Sequence, residues 1–369
     1  EDGRPHVVGA RLSGGEVLPG TVVACTGSRG DVPAWLAELG VEVAEEEHQT
    51  KLIYLTRWYR LPAGRTPDEL GGRLFGDLGY LRYLVVPCDG RTLSATLAVH
   101  VKDADLRARL LDPERFDKAV RRLPGPDQFF ADEGVEPLGP VRPMAGLVNR
   151  LRRFVDDGKQ PLVTGFHAVG DAHTCTNPLY GRGCALAMVQ AGLLADAFAV
   201  HDGDALARGV EYEAASGREV EPWFHGSVQM DQLRDRVEAR AARRRAARAT
   251  EPEPAAEPEA AAEDVVVAPD EATEEAVVAG AAVGQALADD DTAAEDEAAT
   301  AAATFGRIMV EGGTDPVIGR AIVRLFNLLV LPQDLMSDPE LLARVAPLLA
   351  KPPQPLPEPE GPTLEELLA

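Results

Sequence analysis

The sequence predicts an α/β protein: strand-turn-helix segments, interrupted by an antiparallel sheet and completed by C-terminal helices. Three observations predict it. Two short, buried-type runs, "TVVAC" at 21–25 and "PLVTGFHAV" at 161–169, each lead through a glycine turn towards a helix-forming stretch. Between them lie longer runs rich in Val, Ile, Leu, Tyr and Thr, with an Asp89-Gly90 turn, which suits antiparallel pairing. Beyond residue 183 the pattern turns helical. At 369 residues, 45% hydrophobic and only 5% aromatic, the chain has material for two domains and a sizeable core.

Taken in order, "HVVGARL", the Gly14-Gly15 turn and "EVLPG" make a small hairpin, and "TVVAC" is a return strand. Thr26-Gly27 opens a turn before the short helix "VPAWLAELG", whose terminal Gly40 suits a helix C-terminus. "TKLIYLTRWYRL", "YLRYLVVP" and "TLSATLAVHV" are the antiparallel strands. Helices are expected at 103–111 and 113–123, the second starting at an Asp112-Pro113 cap. The strand "PLVTGFHAV" feeds "GDAHTCTNPLYGRG" at 170–183 and then the helix-forming "CALAMVQAGLLADAFAV". Further helices are expected near 203–215, 219–248, 303–311, 315–330 and 337–349. Residues 250–302, rich in Ala, Glu, Asp and Pro, read as a disordered or weakly helical insertion. "KPPQPLPEPEGP" is expected to close the chain in extended form. The segments are therefore 1–45, 46–145, 146–202, 203–249, 250–302, 303–349 and 350–369.

The net charge of -23 is unevenly spread, because Glu251 to Thr300 hold sixteen acidic residues and no Lys or Arg. The remainder is only mildly acidic. Seven arginines lie between Arg234 and Arg248, directly before that acidic tract, which can screen them. They read as a solvated face, and no nucleic-acid partner is expected. The acidic tract and the Pro-rich tail offer segments for protein contacts. Cys25, Cys88, Cys175 and Cys184 are scattered without a CxxC pair, which suits reduced thiols and a cytoplasmic setting. The opening "EDGRPHVVGARL" has no signal-peptide pattern. No transmembrane segment is expected: the nearest candidate, "IVRLFNLLVLP", is short and broken by Arg324 and Asn327.

The run at 170–183 carries the chemistry. A buried strand that stops at Gly170-Asp171 places the aspartate at the carboxyl edge of a sheet, where α/β proteins hold ligands. A carboxylate without a basic neighbour in sequence suits hydroxyl groups, from which it can only accept hydrogen bonds. Pro178, Gly181 and Gly183 shape a turn whose backbone can approach a flat or anionic ligand closely. Gly183 stands just before a helix, whose free N–H groups favour negative charge. Together these features point to a large, polyhydroxylated, partly flat ligand with an electron-accepting end. His167 and His173 have no third ligand at metal spacing, so no metal site is expected. Cys175 and Cys184 read as small packing residues.

"GDAHTCTNPLYGRGCALAMVQAGLLADAF" resembles the second flavin-binding motif of the class A flavoprotein monooxygenases, the aromatic-hydroxylase family. "GARLSGGEVLPGTVVACTGSRGDVPAWLAELG", "YLTRWYRLPAG", "VEPLGPVRP" and "DPVIGRAIVRLFNLLVLPQDLMSDPELLARV" resemble further segments of that family. The resemblance implies an FAD-binding domain of Rossmann-like type, built from 1–45 and 146–202, with 46–145 as an antiparallel substrate domain. It implies that Gly170 and Asp171 hold the ribityl hydroxyls of FAD, and that Pro178, Gly181 and Gly183 pass along the isoalloxazine. Thr26 and Gly27 would lie near the adenine-side pyrophosphate and ribose. Asn177 and Tyr180 match motif positions to which no role is assigned. The family's opening strand, G-x-G-x-x-G turn and helix have no counterpart in this sequence, so an incomplete FAD-binding domain is expected. The activity implied is an NAD(P)H-dependent hydroxylation of an apolar or aromatic small molecule. A flavin-dependent reductase of isoprenoid double bonds and a truncated, non-catalytic interaction protein remain as alternatives. The paired-tryptophan signature of flavin halogenases is absent around Trp58.

Overall fold

The computed structural model describes residues 3–65, 74–130, 134–250, 300, 304, 307–308, 311–312, 314–326, 328–331, 334, 337–351 and 361–368. The chain forms two compact units, Glu1–Glu47 with Asn149–Leu356 and His48–Val148 with Pro357–Ala369. The architecture is mixed α/β, with an antiparallel sheet in one unit and helices towards the C-terminus of the other.

The first unit opens with an antiparallel hairpin of β1 (Gly9–Arg11) and β2 (Val17–Pro19), closed by Gly15 at φ +86°. β3 (Val22–Ala24) follows, then α1 (Val32–Ala37), which buries Val32 and Leu36 and ends before Gly40 at φ +76°. β4 (Ala44–Gln49) leads towards the second unit.

In the second unit β5 (Leu52–Arg60), β6 (Phe75–Asp77), β7 (Arg82–Cys88), β8 (Thr92–His100), β9 (Glu136–Pro137) and β10 (Arg142–Met144) form one antiparallel sheet. Its order is β10-β5-β8-β7-β6, with β9 beside β5. The long alternating runs at 52–60 and 92–100 pair along their whole length, Leu52 opposite His100 and Arg60 opposite Thr92. One face packs on α2 (Ala104–Leu110), α3 (Pro113–Val120) and α4 (Asp127–Phe130), with Leu55, Tyr59, Leu97, Phe116 and Phe130 in the shared core. Asp103 and Asp112 cap α2 and α3 by accepting from the Leu106 and Arg115 N–H groups, and Pro113 fits the first turn of α3. Asp117 anchors this core by accepting from Arg57 (2.6 Å) and from the Tyr59 hydroxyl (2.7 Å).

Returning to the first unit, β11 (Val148–Arg153) stands between β4 and β13 (Thr174–Cys175), while β12 (Phe166–Ala168) runs parallel to β3. The sequence reading missed β4 and β11 because "AEEEHQ" and "VNRLRR" show charge rather than apolar alternation. The two strands carry opposite charges: Arg152 meets Glu45 at 2.5 Å, Arg150 meets Glu47 at 2.7 Å and Arg153 meets Glu46 at 3.8 Å. Opposite-charge pairs across strands stabilise a sheet much as apolar pairs do.

α5 (Gly183–Val200), α6 (Ala205–Glu219) and α7 (Glu221–Thr250) follow, then α8 (Pro316–Phe326) and α9 (Pro339–Leu349). α5 is long and apolar enough to cross a membrane by length and composition alone, a test that the core helix of a globular fold also passes. The expectation looked for an uninterrupted run, and Gln190 and Asp196 interrupt this one. α5 packs along α6, and its buried Gln190 is bonded to the strand-end backbone at Gly170.

The expected acidic insertion, 250–302, lies outside the described residues except at Thr250 and Thr300, and so does most of the expected helix at 303–311. The run 352–360 of the expected extended tail is likewise outside them. The end of that tail differs from expectation: Leu364–Leu368 is a helix, α10, opened by a capping box in which Thr363 and Glu366 bond reciprocally. Leu367 is fully buried in the core of the second unit. "TLEEL" carries the cap signal, which the proline-rich lead-in obscured.

Candidate functional site

β3 and β12 lie side by side in parallel, Ala24 opposite Ala168, so both end at the same carboxyl edge. The Val169 N–H donates to the Ala24 carbonyl (3.0 Å) and extends that pairing by one step. Thr26-Gly27 leaves the end of one strand and Gly170-Asp171 the end of the other. The structure therefore brings these two distant segments to one sheet edge, the position at which open α/β sheets bind ligands.

Gly170 is needed twice. Its φ of +67° is a left-handed conformation, and a Cβ there would sit 3.2 Å from the Ala187 side chain of α5. Its N–H donates to Gln190 Oε1 (2.7 Å), which ties the strand end to the helix. Gly170–Ala172 then makes a single 3-10 turn, and Arg152 donates to the Ala172 carbonyl (3.0 Å). Gly27, at φ +73°, makes the matching turn after β3. Arg150 braces that turn by donating to the Ser28 carbonyl (2.9 Å).

Asp171 is half-buried, and no donor among the described residues reaches its carboxylate. Burial holds its carboxyl above the usual range. A Cβ on Gly183 would lie 3.7 Å from Asp171 Oδ1, so the carboxylate stands beside the first turn of α5. That turn has no side-chain cap, since Arg182 occupies the N-cap without bonding to it. A bare carboxylate and a set of uncapped helix N–H groups thus share one small region.

The rest of the run is held from behind. Pro178–Tyr180 forms a second 3-10 turn, ended by Gly181 in the left-handed region at φ +64°. Asn177 is fully buried; its Oδ1 accepts from the Leu179 N–H (3.0 Å) and its Nδ2 donates to Asp231 (2.8 Å). The Tyr180 hydroxyl also donates to Asp231 (2.7 Å). The side chains of Asn177 and Tyr180, the two motif positions without an assigned role, therefore face the protein interior. The Arg182 guanidinium is buried against the Tyr180 ring (5.4 Å) and the Trp223 ring (4.9 Å). That burial lowers its pKa.

His173 bonds Thr174 Oγ1 (2.7 Å) and lies 3.4 Å from Glu213. His167 is buried against Tyr212 and Phe198, and burial pushes its pKa down to about 4. Among the described residues no group of His, Cys, Asp and Glu could hold a metal ion. No disulfide joins the four cysteines; Cys175 is pushed up to about 11, first by burial and then by Asp171, which makes it a poor nucleophile. Sequence reasoning missed Asn149, Arg152, Gln190 and Asp231. Gln190 carried a signal, a lone amide inside an apolar helix run; Asp231 carried none.

No family model matches the sequence, and no curated protein does. Solved structures overlap the chain in part. They include Pseudomonas aeruginosa PqsL in complex with 2-aminobenzoylacetate, at 20% identity and TM-score 0.47, covering 62% of this chain and 58% of that one. Klebsiella pneumoniae HpxO complexed with FAD and uric acid overlaps at 17% identity and TM-score 0.43, covering 60% and 54%. The flavin-dependent brominase Bmp2 overlaps at 19% identity and TM-score 0.42, covering 63% and 61%. The chain spans somewhat over half the length of each of these neighbours.

Proposed function

We propose that the chain is the FAD-binding part of a flavin-dependent oxidoreductase, with the run Gly170–Gly183 as the cofactor site. The observation that carries this reading is the half-buried Asp171 carboxylate. No donor among the described residues reaches it, it stands at the carboxyl edge of β3 and β12, and it lies beside an uncapped helix N-terminus. An unpartnered, partly desolvated carboxylate costs stability unless a ligand completes its hydrogen bonds. The residues fit the group: Asp171 accepts from the ribityl hydroxyls, and Gly181 and Gly183 leave the backbone bare for the ring. Thr26 and Gly27 take the adenine side. FAD supplies the two-electron redox chemistry and the reactivity with oxygen.

The finer reading is an NAD(P)H-dependent monooxygenase acting on an apolar or aromatic small molecule. In that reaction the chain orients the cofactor and keeps water from it, and the first-turn N–H groups of α5 stabilise negative charge that develops on the ring. No side chain of the loop is assigned as a proton donor or acceptor. The test is the visible absorption spectrum of the purified chain with excess FAD, for the wild type and Asp171→Ala. Shifted, structured flavin bands in the wild type and their loss in the variant support the site. Unshifted bands of free FAD with the wild type refute it. Oxygen uptake driven by NAD(P)H then separates the monooxygenase from a flavin reductase.

A further inference from the structure

We infer that Asp231 of α7 is a positioning residue for the cofactor run, holding the turn at 177–181 in the shape that a ligand meets. The ligand's identity rests on the flavin reading above, whereas the geometry does not. Asp231 is only 4% exposed and accepts four hydrogen bonds: from Asn149 Nδ2 (2.7 Å), Asn177 Nδ2 (2.8 Å), the Tyr180 hydroxyl (2.7 Å) and Arg234 (2.6 Å). Three of the four donors converge on Oδ1 and one, from Asn149, reaches Oδ2. Asn149 closes the ring by accepting the Asn177 N–H on its Oδ1 (2.7 Å). Three elements, β11, the turn and α7, thus meet on a single buried anion, whose charge Arg234 balances.

The run therefore meets two carboxylates of opposite kind, Asp171 within it and Asp231 behind it. Asp231 accepts four hydrogen bonds from the protein, while no donor among the described residues reaches Asp171. A buried network of this kind fixes one geometry, because moving the turn leaves the Asn177 and Tyr180 donors unpaired at low dielectric. The turn it fixes ends at Gly181, two residues before the N-terminus of α5. α7 grips the turn at a second point too, where Trp223 stacks on Arg182, which is itself stacked on Tyr180. Asn177 and Tyr180 thereby act through shape and not by touching the ligand.

The experiment uses the full chain with Tyr180→Phe and Asp231→Asn. Tyr180→Phe removes one donor and no ring volume; Asp231→Asn keeps the size and removes the charge. Two quantities are read: amide hydrogen exchange across 174–183, and FAD affinity from the visible titration. We expect exchange in 174–183 to rise about tenfold in Tyr180→Phe and more in Asp231→Asn, with FAD affinity falling in the same order. The strands β5, β7 and β8 should keep their protection. Exchange across 174–183 that stays at the wild-type rate in both variants overturns the inference. So does exchange that rises evenly over the whole chain, since that is general destabilisation. If the wild type leaves FAD free, the flavin reading falls and the exchange pattern alone decides the role of Asp231.

Discussion

His167 should make the protein acid-labile by a calculable amount. It sits on β12, 3% exposed, with its ring edge-on to Tyr212 (5.5 Å) and Phe198 (5.9 Å) and no hydrogen-bond partner on Nε2 among the described residues. Burial first, and the charge of Arg208 second, lower its pKa from 6.5 to about 4. The folded protein thus keeps the ring neutral at pH values where the unfolded chain protonates it. Between these two pKa values the unfolded state binds more protons, so stability is complete above pH 6.5 and is lost as pH falls towards 4. At about 1.4 kcal/mol per pH unit the gap amounts to about 3 kcal/mol, a large share of an ordinary domain's stability. Urea denaturation of the wild type and His167→Phe over this range isolates the contribution, because the other titrating groups are common to both proteins. The wild type should lose about 3 kcal/mol more than the variant between pH 7 and pH 4. Parallel stability curves for the two proteins would refute the reasoning.

Four other perturbations have definite expected outcomes. Asp171→Asn should raise the melting temperature of the ligand-free protein by about 2–4 °C at neutral pH, while abolishing the flavin band shift. Its raised pKa means that ionisation costs stability, so the gain should shrink as pH falls through the raised pKa of the folded state, and be gone once pH is below the usual carboxylate range. Arg152→Ala removes a buried guanidinium that bonds Glu45 and the Ala172 carbonyl; it should cost about 2 kcal/mol in urea denaturation. Leu367→Ala opens a cavity in the core of the second unit and should cost about 2–5 kcal/mol by the same measurement. Gly181→Ala places a Cβ on a left-handed residue and should cost about 1 kcal/mol, read as a lower melting temperature.

Apolar and turn patterns made much of this fold legible. "LIYLTRWYR" and "TLSATLAVHV" declared their strands through β-branched and aromatic residues, and "VPAWLAELG" declared α1 through its proline and glycine ends. The Gly-Asp run was legible because bare backbone around one carboxylate is rare, and the structure sets its start beside Thr26-Gly27. The charged strands β4 and β11 were not legible, since each has meaning only opposite the other. Asp231 was hidden for a similar reason: a single aspartate in a long polar helix looks solvated until the fold places three donors from elsewhere around it. The membrane-like composition of α5 went unremarked because Gln190 and Asp196 break the run, although what stays buried is set by packing on α6 and the strand end.

The seating of Leu367 makes completion of the second unit wait until the chain has been made through α10. Arg122 reaches the Leu367 carbonyl across 245 positions of sequence, with the whole return of the first unit lying between them. While the ribosome is still translating that stretch, strands β5 to β8 can pair and the helices can collapse onto them, but the slot for Leu367 stays open and apolar. A nascent chain stalled anywhere in the interval carries a half-closed hydrophobic seam, a natural target for holdase chaperones and for quality-control proteases. The order in which the two units mature is therefore written into where α10 docks.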